Sequence, residues 1–388
     1  MTLPRTIVIA GAGIGGLTAA LALAAEGFRV NILEKAERLE EAGAGLQLSP
    51  NASRILVGLG LAPALAPHVV TPDSVSIRTA HSGGEVARVS LAASARPDAP
   101  YWLVHRADLQ RVLLAAVQSH PDIELQLAAP VPDARAGSDG IIIGDIEAGA
   151  LIGADGAWSQ VRAAAFPDIQ PQFSGLIAWR GTCDAASLPG SLRPNGVQLW
   201  MGPQAHLVIY PMSGGQRVNL VAIAGGVPLS PGSSAPGAGD ELNALFGRAR
   251  WPSRARDAIA AVHQWSRWPL YTIADGGAWH SGRVALLGDA AHAMLPFAAQ
   301  GAAMAIEDAA VLAQSLGAAR DDSGIPAALA HYAALRRPRV TRVQRTARQQ
   351  GRIYHLRGPM ALARDSAMRL LGPQRLTARQ DWIYDWKL

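Results

Sequence analysis

The segment GDAAHAMLPFAAQGAAMAIEDAA, from Gly288 to Ala310, places one carboxylate, Asp289, among residues with almost no side chain. Asp289 follows the apolar run RVALLG, which reads as a strand. Its carboxylate therefore emerges at a strand's C-terminal end, where parallel α/β sheets bind ligands. Pro296 and Gly301 lead into AAMAIEDAAVLAQSL, which reads as a helix. The positive end of that helix stabilises an anion in front of it by a few tenths to about 2 kcal/mol. The small residues let a flat ring approach the backbone.

Two further motifs belong with this one. Gly11-Ala12-Gly13-Ile14-Gly15-Gly16 matches G-x-G-x-x-G; such glycines permit a tight turn and let a pyrophosphate reach a helix N-terminus. Glu34 stands where the pattern requires an acid for ribose hydroxyls, about 20 residues on. This motif alone does not separate FAD from NAD. The second is GADGAWSQVR, Gly153 to Arg162, in which Asp155 and Gly156 follow an apolar strand. Taken alone, Asp-Gly is as readily a solvent-exposed turn. A reduced flavin is an anion of the kind the Asp289 helix would favour.

The elements that must position these residues are legible around them. TIVIAG, GLTAALALAAEG and RVNILEK read as strand, helix and strand, with Gly27 as a C-terminal stop. Repeated units of this kind imply a parallel sheet packed by helices. RADLQRVLLAAVQS reads as a helix starting near Arg106. Over residues 171 to 225, GLIAWRGTC, GVQLWMG, HLVIYPM and RVNLVAIAGG are short runs between Pro, Gly and Ser, the pattern of an antiparallel sheet. His206 and Tyr210, four apart in HLVIYP, share one strand face, either as a site pair or as a cross-strand core pair. GGVPLSPGSSAPGAG reads as a flexible loop. The chain from about Ile325 onward reads as helical.

Composition bounds the function. The chain has 388 residues, 49% hydrophobic and 17% charged, which is ample for a large core. It contains no uncharged apolar run of about 18 residues, so no membrane-spanning helix is expected, and no secretory signal is visible. One cysteine, Cys183, excludes an intrachain disulfide and a metal held by a cysteine cluster; it reads as a small core residue. These features point to the cytoplasm. The formal charge is +5, almost all of its basic residues arginine. Arg336, Arg337, Arg339, Arg342, Arg345, Arg348 and Arg352 make a helical stripe. Without interleaved aromatics the stripe reads as a solvated or subunit-facing helix that attracts anionic substrates, not as a nucleic-acid reader.

The three motifs, in this order, resemble those of the FAD-dependent aromatic hydroxylases, the single-component flavoprotein monooxygenases of the para-hydroxybenzoate hydroxylase type. HRADL (His105 to Leu109), AWRG (Ala178 to Gly181) and YAALRRPRV (Tyr332 to Val340) extend the resemblance over nearly the whole chain. GAGLQLSPNA and PFAAQGAAMAIEDA look most like salicylate, 3-hydroxybenzoate and 6-hydroxynicotinate hydroxylases. The resemblance implies an α/β fold: a Rossmann-like FAD-binding domain with a parallel sheet (1–70, 101–170 and 273–325), interrupted by a mainly antiparallel substrate-binding sheet domain (71–100 and 171–272), then a helical C-terminal segment (326–388). It implies FAD held through Gly11, Gly13, Gly15, Gly16, Glu34, Lys35, Arg106, Val131, Asp155, Gly288, Asp289 and Gly301. NADH or NADPH would bind transiently as reductant, with O2 as co-substrate. A flavin C4a-hydroperoxide would then hydroxylate a small carboxylated phenol or hydroxy-N-heteroaromatic.

His206 and Tyr210 match a His and Tyr that line the substrate pocket of related enzymes. Gln47 would sit by the flavin; some relatives carry His there, so Gln points to orienting a substrate hydroxyl or carboxylate rather than to base catalysis. Pro296 would offer its carbonyl at the flavin edge, and His292 would support the turn beside it. A metal, a nucleic acid and a membrane are not expected, and the state would be monomer or homodimer. The alternatives are an FAD monooxygenase or epoxidase of a larger isoprenoid or polyketide, and a non-catalytic dinucleotide-binding protein.

Overall fold

The computed structural model describes residues 5–39, 45–91, 98–137, 140–230, 232–247 and 251–388, without the side chain of Ser191. Residues Met1–Pro4, Gly43 and Ala44 of GAGLQLSPNA, and Pro231 of the Gly/Pro-rich loop lie outside the described residues.

In chain order the elements used below are β1 (Thr6–Ala10), α1 (Ile14–Ala25), β2 (Arg29–Leu33), β3 (Gly45–Leu48), β4 (Ser74–Thr79), β5 (Glu85–Ser90), β6 (Trp102–His105), α2 (Arg106–Gln118), β7 (Ile123–Gln126), β8 (Ala150–Gly153) and β9 (Gln172–Asp184). They continue with β10 (Val197–Gly202), β11 (Ala205–Met212), β12 (Arg217–Gly225), β13 (Trp265–Thr272), β14 (Val284–Leu286), α3 (Gly301–Gly317), α4 (Ile325–Tyr354) and α5 (Pro359–Ala378).

One sheet runs β14-β8-β1-β2-β7, parallel throughout, with His280–Ser281 antiparallel on its β14 edge. Strands β1, β8 and β14 are short apolar runs rather than alternating ones, as strands covered on both faces require, whereas the edge strand β7 (IELQ) alternates. Within α1 only Gly15 and Ala25 escape full burial. A helix with no polar face needs cover all round, and α3, rich in alanine, packs closely along it.

The second sheet has the order (Ala235–Gly237)-β13-β9-β12-β11-β10-β4-β5. It is antiparallel except where β10 runs parallel to β4. Strand β9 continues through a register shift between Phe173 and Ile177, where Gly175 takes φ +80°; a bulge of this kind bends the strand. The segment read as a flexible loop contributes the edge strand Ala235–Gly237. Pro236 is tolerated there because an edge strand leaves one side of its backbone unpaired.

Helix α4 is 30 residues long, about 45 Å at 1.5 Å per residue. Its arginine stripe is not simply solvated. Arg336 is fully buried between Glu307 and Asp308, and Arg339 also grips Glu307. Arg342 stacks on Trp382 at 3.8 Å, and Arg345 and Arg348 share Asp275. The carboxylates that absorb the stripe come from distant segments, which helical periodicity does not reveal. Among the described residues, no helix is long and apolar enough to cross a membrane, and no cluster of three or more His, Cys, Asp or Glu could hold a metal ion. Cys183 is buried in the core beside the second sheet.

Candidate active site

Backbone contact brings the three motifs together. At Gly11 (φ +102°) a Cβ would stand 2.7 Å from the Ala154 carbonyl oxygen and 3.0 Å from Asp155 Cα. At Gly16 it would collide with the Gly11 carbonyl oxygen. At Gly15 it would stand 2.7 Å from Leu287 Cδ2 and 3.3 Å from Ala305 Cβ. The glycine turn thus abuts the Asp155 loop on one side and the Asp289 strand and α3 on the other. Gly13, Gly15, Gly156, Gly288, Asp289 and Gly301 line one cavity of about 300 Å³.

The far wall is a face of the second sheet. Register places Ala178, Ile223 and His206 in one row across β9, β12 and β11, and Arg180, Val221 and Val208 in the next. Tyr210 follows, opposite Asn219. All but Asn219 line the cavity. Gly45, Leu46 and Gln47 of β3, with Arg106 at the start of α2, close another side. Gly45 must be glycine for space: a Cβ there would lie 2.7 Å from the Tyr210 hydroxyl oxygen. The Gly45 N–H donates to Asn219 Oδ1 at 2.8 Å, tying β3 to this face.

Pro296 and Ala299 form the remaining wall. Ala299 adopts φ +53°, a left-handed backbone costing an L-residue roughly 1–2 kcal/mol. The next residue anchors it. Gln300 donates to Ser49 Oγ at 2.9 Å and accepts from Asn51 Nδ2 at 3.1 Å, and Asn51 also donates to Glu307 Oε1 at 2.6 Å. His292 turns into the protein, with Nε2 2.5 Å from Asp308 Oδ2, which also accepts from the Gly288 N–H at 3.1 Å. Although burial opposes it, His292 and Arg336 hold the Asp308 carboxyl below its usual range. His292 supports the turn, as expected.

The cavity fits the dinucleotide that the resemblance implies. Positions Gly13, Gly156 and Gly301 have nothing within 4 Å of where a Cβ would be. Neither α1 nor α3 has a side-chain cap on its first N–H groups. Two helix N-termini therefore offer donors across bare backbone, and such donors normally find an acceptor. One oxygen of Asp155 accepts the Gln160 and Val161 N–H groups at 2.7 and 3.2 Å; the other is buried without a partner. Glu34 accepts from the Ala12 N–H at 2.8 Å and the Ala36 N–H at 2.9 Å, which locks the glycine turn. Exposed Lys35 follows it, and half-buried Val131 packs on the large core. Glu34, Lys35, Val131 and Asp155 lie outside the cavity lining.

Burial raises the Tyr210 hydroxyl pKa, against the opposing pull of Arg180. Burial, and then the neighbouring His355, draws the His206 imidazole well below its usual value. At neutral pH the wall therefore presents a neutral imidazole and a neutral phenol. Gln47 Oε1 accepts from the Tyr101 hydroxyl at 2.9 Å. Sequence reasoning passed over three of these groups. Arg180 lay inside AWRG, where its alternation with Ala178 could have marked it. Tyr101 and His355 carried no local signal.

The FAD binding domain family matches residues 5–347. The chain is 34% identical to a 3-hydroxybenzoate 6-hydroxylase of Klebsiella oxytoca, covering 98% of this chain and 96% of that one. It is 39% identical to a 3-amino-4-hydroxybenzoate 2-monooxygenase of Streptomyces platensis, covering 94% and 92%. Among solved structures, a salicylate hydroxylase substrate complex superposes with a TM-score of 0.82 at 27% identity, covering 99% and 96%.

Proposed function

The chain belongs to the FAD-dependent aromatic hydroxylases, the class A flavoprotein monooxygenases, and from that premise we propose that it hydroxylates a small carboxylated phenol or hydroxy-N-heteroaromatic at the expense of NADH or NADPH and O2. The observation that carries this reading is the sheet face on which Arg180, His206 and Tyr210 look into one cavity. Charge, base and hydroxyl there match a carboxylate, a phenolic proton and the phenolate left behind.

FAD, when bound, supplies hydride acceptance from the nicotinamide and delivery of one oxygen atom to the ring. The protein's part is to hold and orient. Gly11, Gly13, Gly15 and Gly16 would present α1 to the pyrophosphate, with Glu34, Lys35 and Val131 toward the adenosine. Arg106, Asp155, Gly288, Asp289 and Gly301 would hold the remainder. Arg180 would pair with the substrate carboxylate. Neutral His206 would take the phenolic proton, since a phenolate attacks an electrophilic oxygen far better than a phenol does. Tyr210, kept protonated by burial, would donate to the resulting oxygen anion. Gln47 would orient the ring and Pro296 would border it. Val208, Val221, Ile223 and Met294 are apolar lining that keeps water away.

A cavity of about 300 Å³ is at the small end for ligand sites. Shared with a flavin ring, it favours a single-ring substrate over an isoprenoid or polyketide. The test is a panel of hydroxybenzoates and hydroxynicotinates, scored for stimulated NADH and NADPH oxidation together with product analysis. A hydroxylated ring product is expected. Oxidation without product from every member would reject the reading.

A further inference from the structure

The cavity-facing His206 does not end in the core. Its Nδ1 lies 2.9 Å from Nε2 of His355, the residue that caps the C-terminus of α4. His206 is buried, whereas His355 is half-buried and reaches the molecular surface. The His355 carbonyl accepts the Gln204 N–H at 3.4 Å, joining the helix end to the turn before β11. Phe297 packs on both rings, at 5.1 and 5.7 Å between centroids. Tyr354 packs on His206 at 5.7 Å. The approach of α4 depends on Gly351, where a Cβ would meet Phe297 Cε2 at 2.5 Å. The titratable and charged groups nearby include Tyr354 from α4 and Tyr210 from β11, both held protonated by burial, Arg180 from β9 on the same cavity face, and Arg364 from α5, which donates to the Tyr354 carbonyl at 3.1 Å.

We propose that His206 and His355 form a two-imidazole relay that carries the substrate's phenolic proton from the cavity to solvent, with His355 as its positioning residue and outlet. This rests on the phenol-hydroxylating function proposed above. The proton balance is simple. The substrate O–H bond breaks as an N–H bond forms at His206 Nε2. The His206 Nδ1 proton passes to His355 Nε2, and His355 releases its Nδ1 proton to water. The substrate is left as phenolate, no electrons are transferred, and reverse flow on product protonation restores both tautomers. A neutral imidazole donates at one nitrogen and accepts at the other, so the N-to-N contact is the arrangement such a transfer needs. Burial draws the His355 imidazole down to about 4, so the outlet passes the proton on rather than retaining it.

The test uses the FAD-loaded protein and the hydroxybenzoate from the panel that it turns over fastest. Proton release on substrate binding is followed with phenol red in weakly buffered solution, by stopped flow. His355→Gln retains a hydrogen-bonding side chain but cannot relay; His355→Ala opens a space that added imidazole can enter. Flavin absorbance checks that both variants are folded. Release and kcat are expected to slow at least about tenfold in both, with KM little changed. Imidazole should restore His355→Ala but not His355→Gln. Release at the wild-type rate in His355→Gln overturns the relay alone. So does slowing by Tyr101→Phe in place of His355→Gln, which would move the outlet to the path through Gln47, Tyr101 and Tyr384. Absence of proton release or product from the wild type with every panel member overturns the proposed function, and the relay with it.

Discussion

Arg180 and Tyr210 face the same cavity with opposite proposed duties, and each can be removed without touching the glycine turn. A charged hydrogen bond contributes about 1.5–3 kcal/mol, so Arg180→Met should raise KM for a carboxylated phenol roughly tenfold to a hundredfold. KM for an uncharged phenol should barely move. Equal losses for both substrates would sink the carboxylate assignment. Tyr210→Phe removes one buried donor and should retain flavin while slowing oxygen transfer about tenfold. Single-turnover product formation reads this directly, and normal hydroxylation would discard Tyr210 as a donor. The sequence offered both residues in plain view, yet only Tyr210 was singled out. Spacing along β11 paired it with His206, whereas Arg180 acquires its place from the neighbouring strands.

At the level of elements, the turn from Pro296 to Gly301 is held by buried charge. Glu307 and Asp308 on α3 face Arg336 and Arg339 on α4, with Asn51 and Gln300 carrying the network to the cavity wall. Removing one partner strands buried carboxylates. Arg336→Met should therefore cost about 3–5 kcal/mol in chemical denaturation. Arg352, exposed on the same helix, should cost within about 0.5 kcal/mol when changed to Met. Similar losses for the two would refute a structural role for the stripe's buried half. Periodicity revealed the stripe and missed this division, because a helical repeat says which residues share a face but not what packs on it.

For the whole molecule, the pair of buried His206 and half-buried His355 couples the site to acid stability. Histidine in the unfolded chain titrates near 6.5, while burial draws His206 well below that and His355 to about 4. Below about pH 6.5 the unfolded chain thus binds more protons than the native one, and stability falls as pH falls. The thermal midpoint should decline between about pH 6.5 and about pH 4, and less steeply in His355→Leu. An unchanged slope in that variant would remove the pair from the acid response. Within this molecule, the glycine turn, its acid, the Asp289 strand and the helical tail were readable because each is a local pattern: a strand's alternation, a helix's repeat, a backbone conformation that needs glycine. The cavity was decided elsewhere. A one-residue slip of β11 would turn His206 and Tyr210 outward. Only the register among β9, β12 and β11 puts Arg180 beside them, and only the packing of α4 against Phe297 brings His355 to His206. Those contacts join residues far apart in the chain, and no local pattern encodes them.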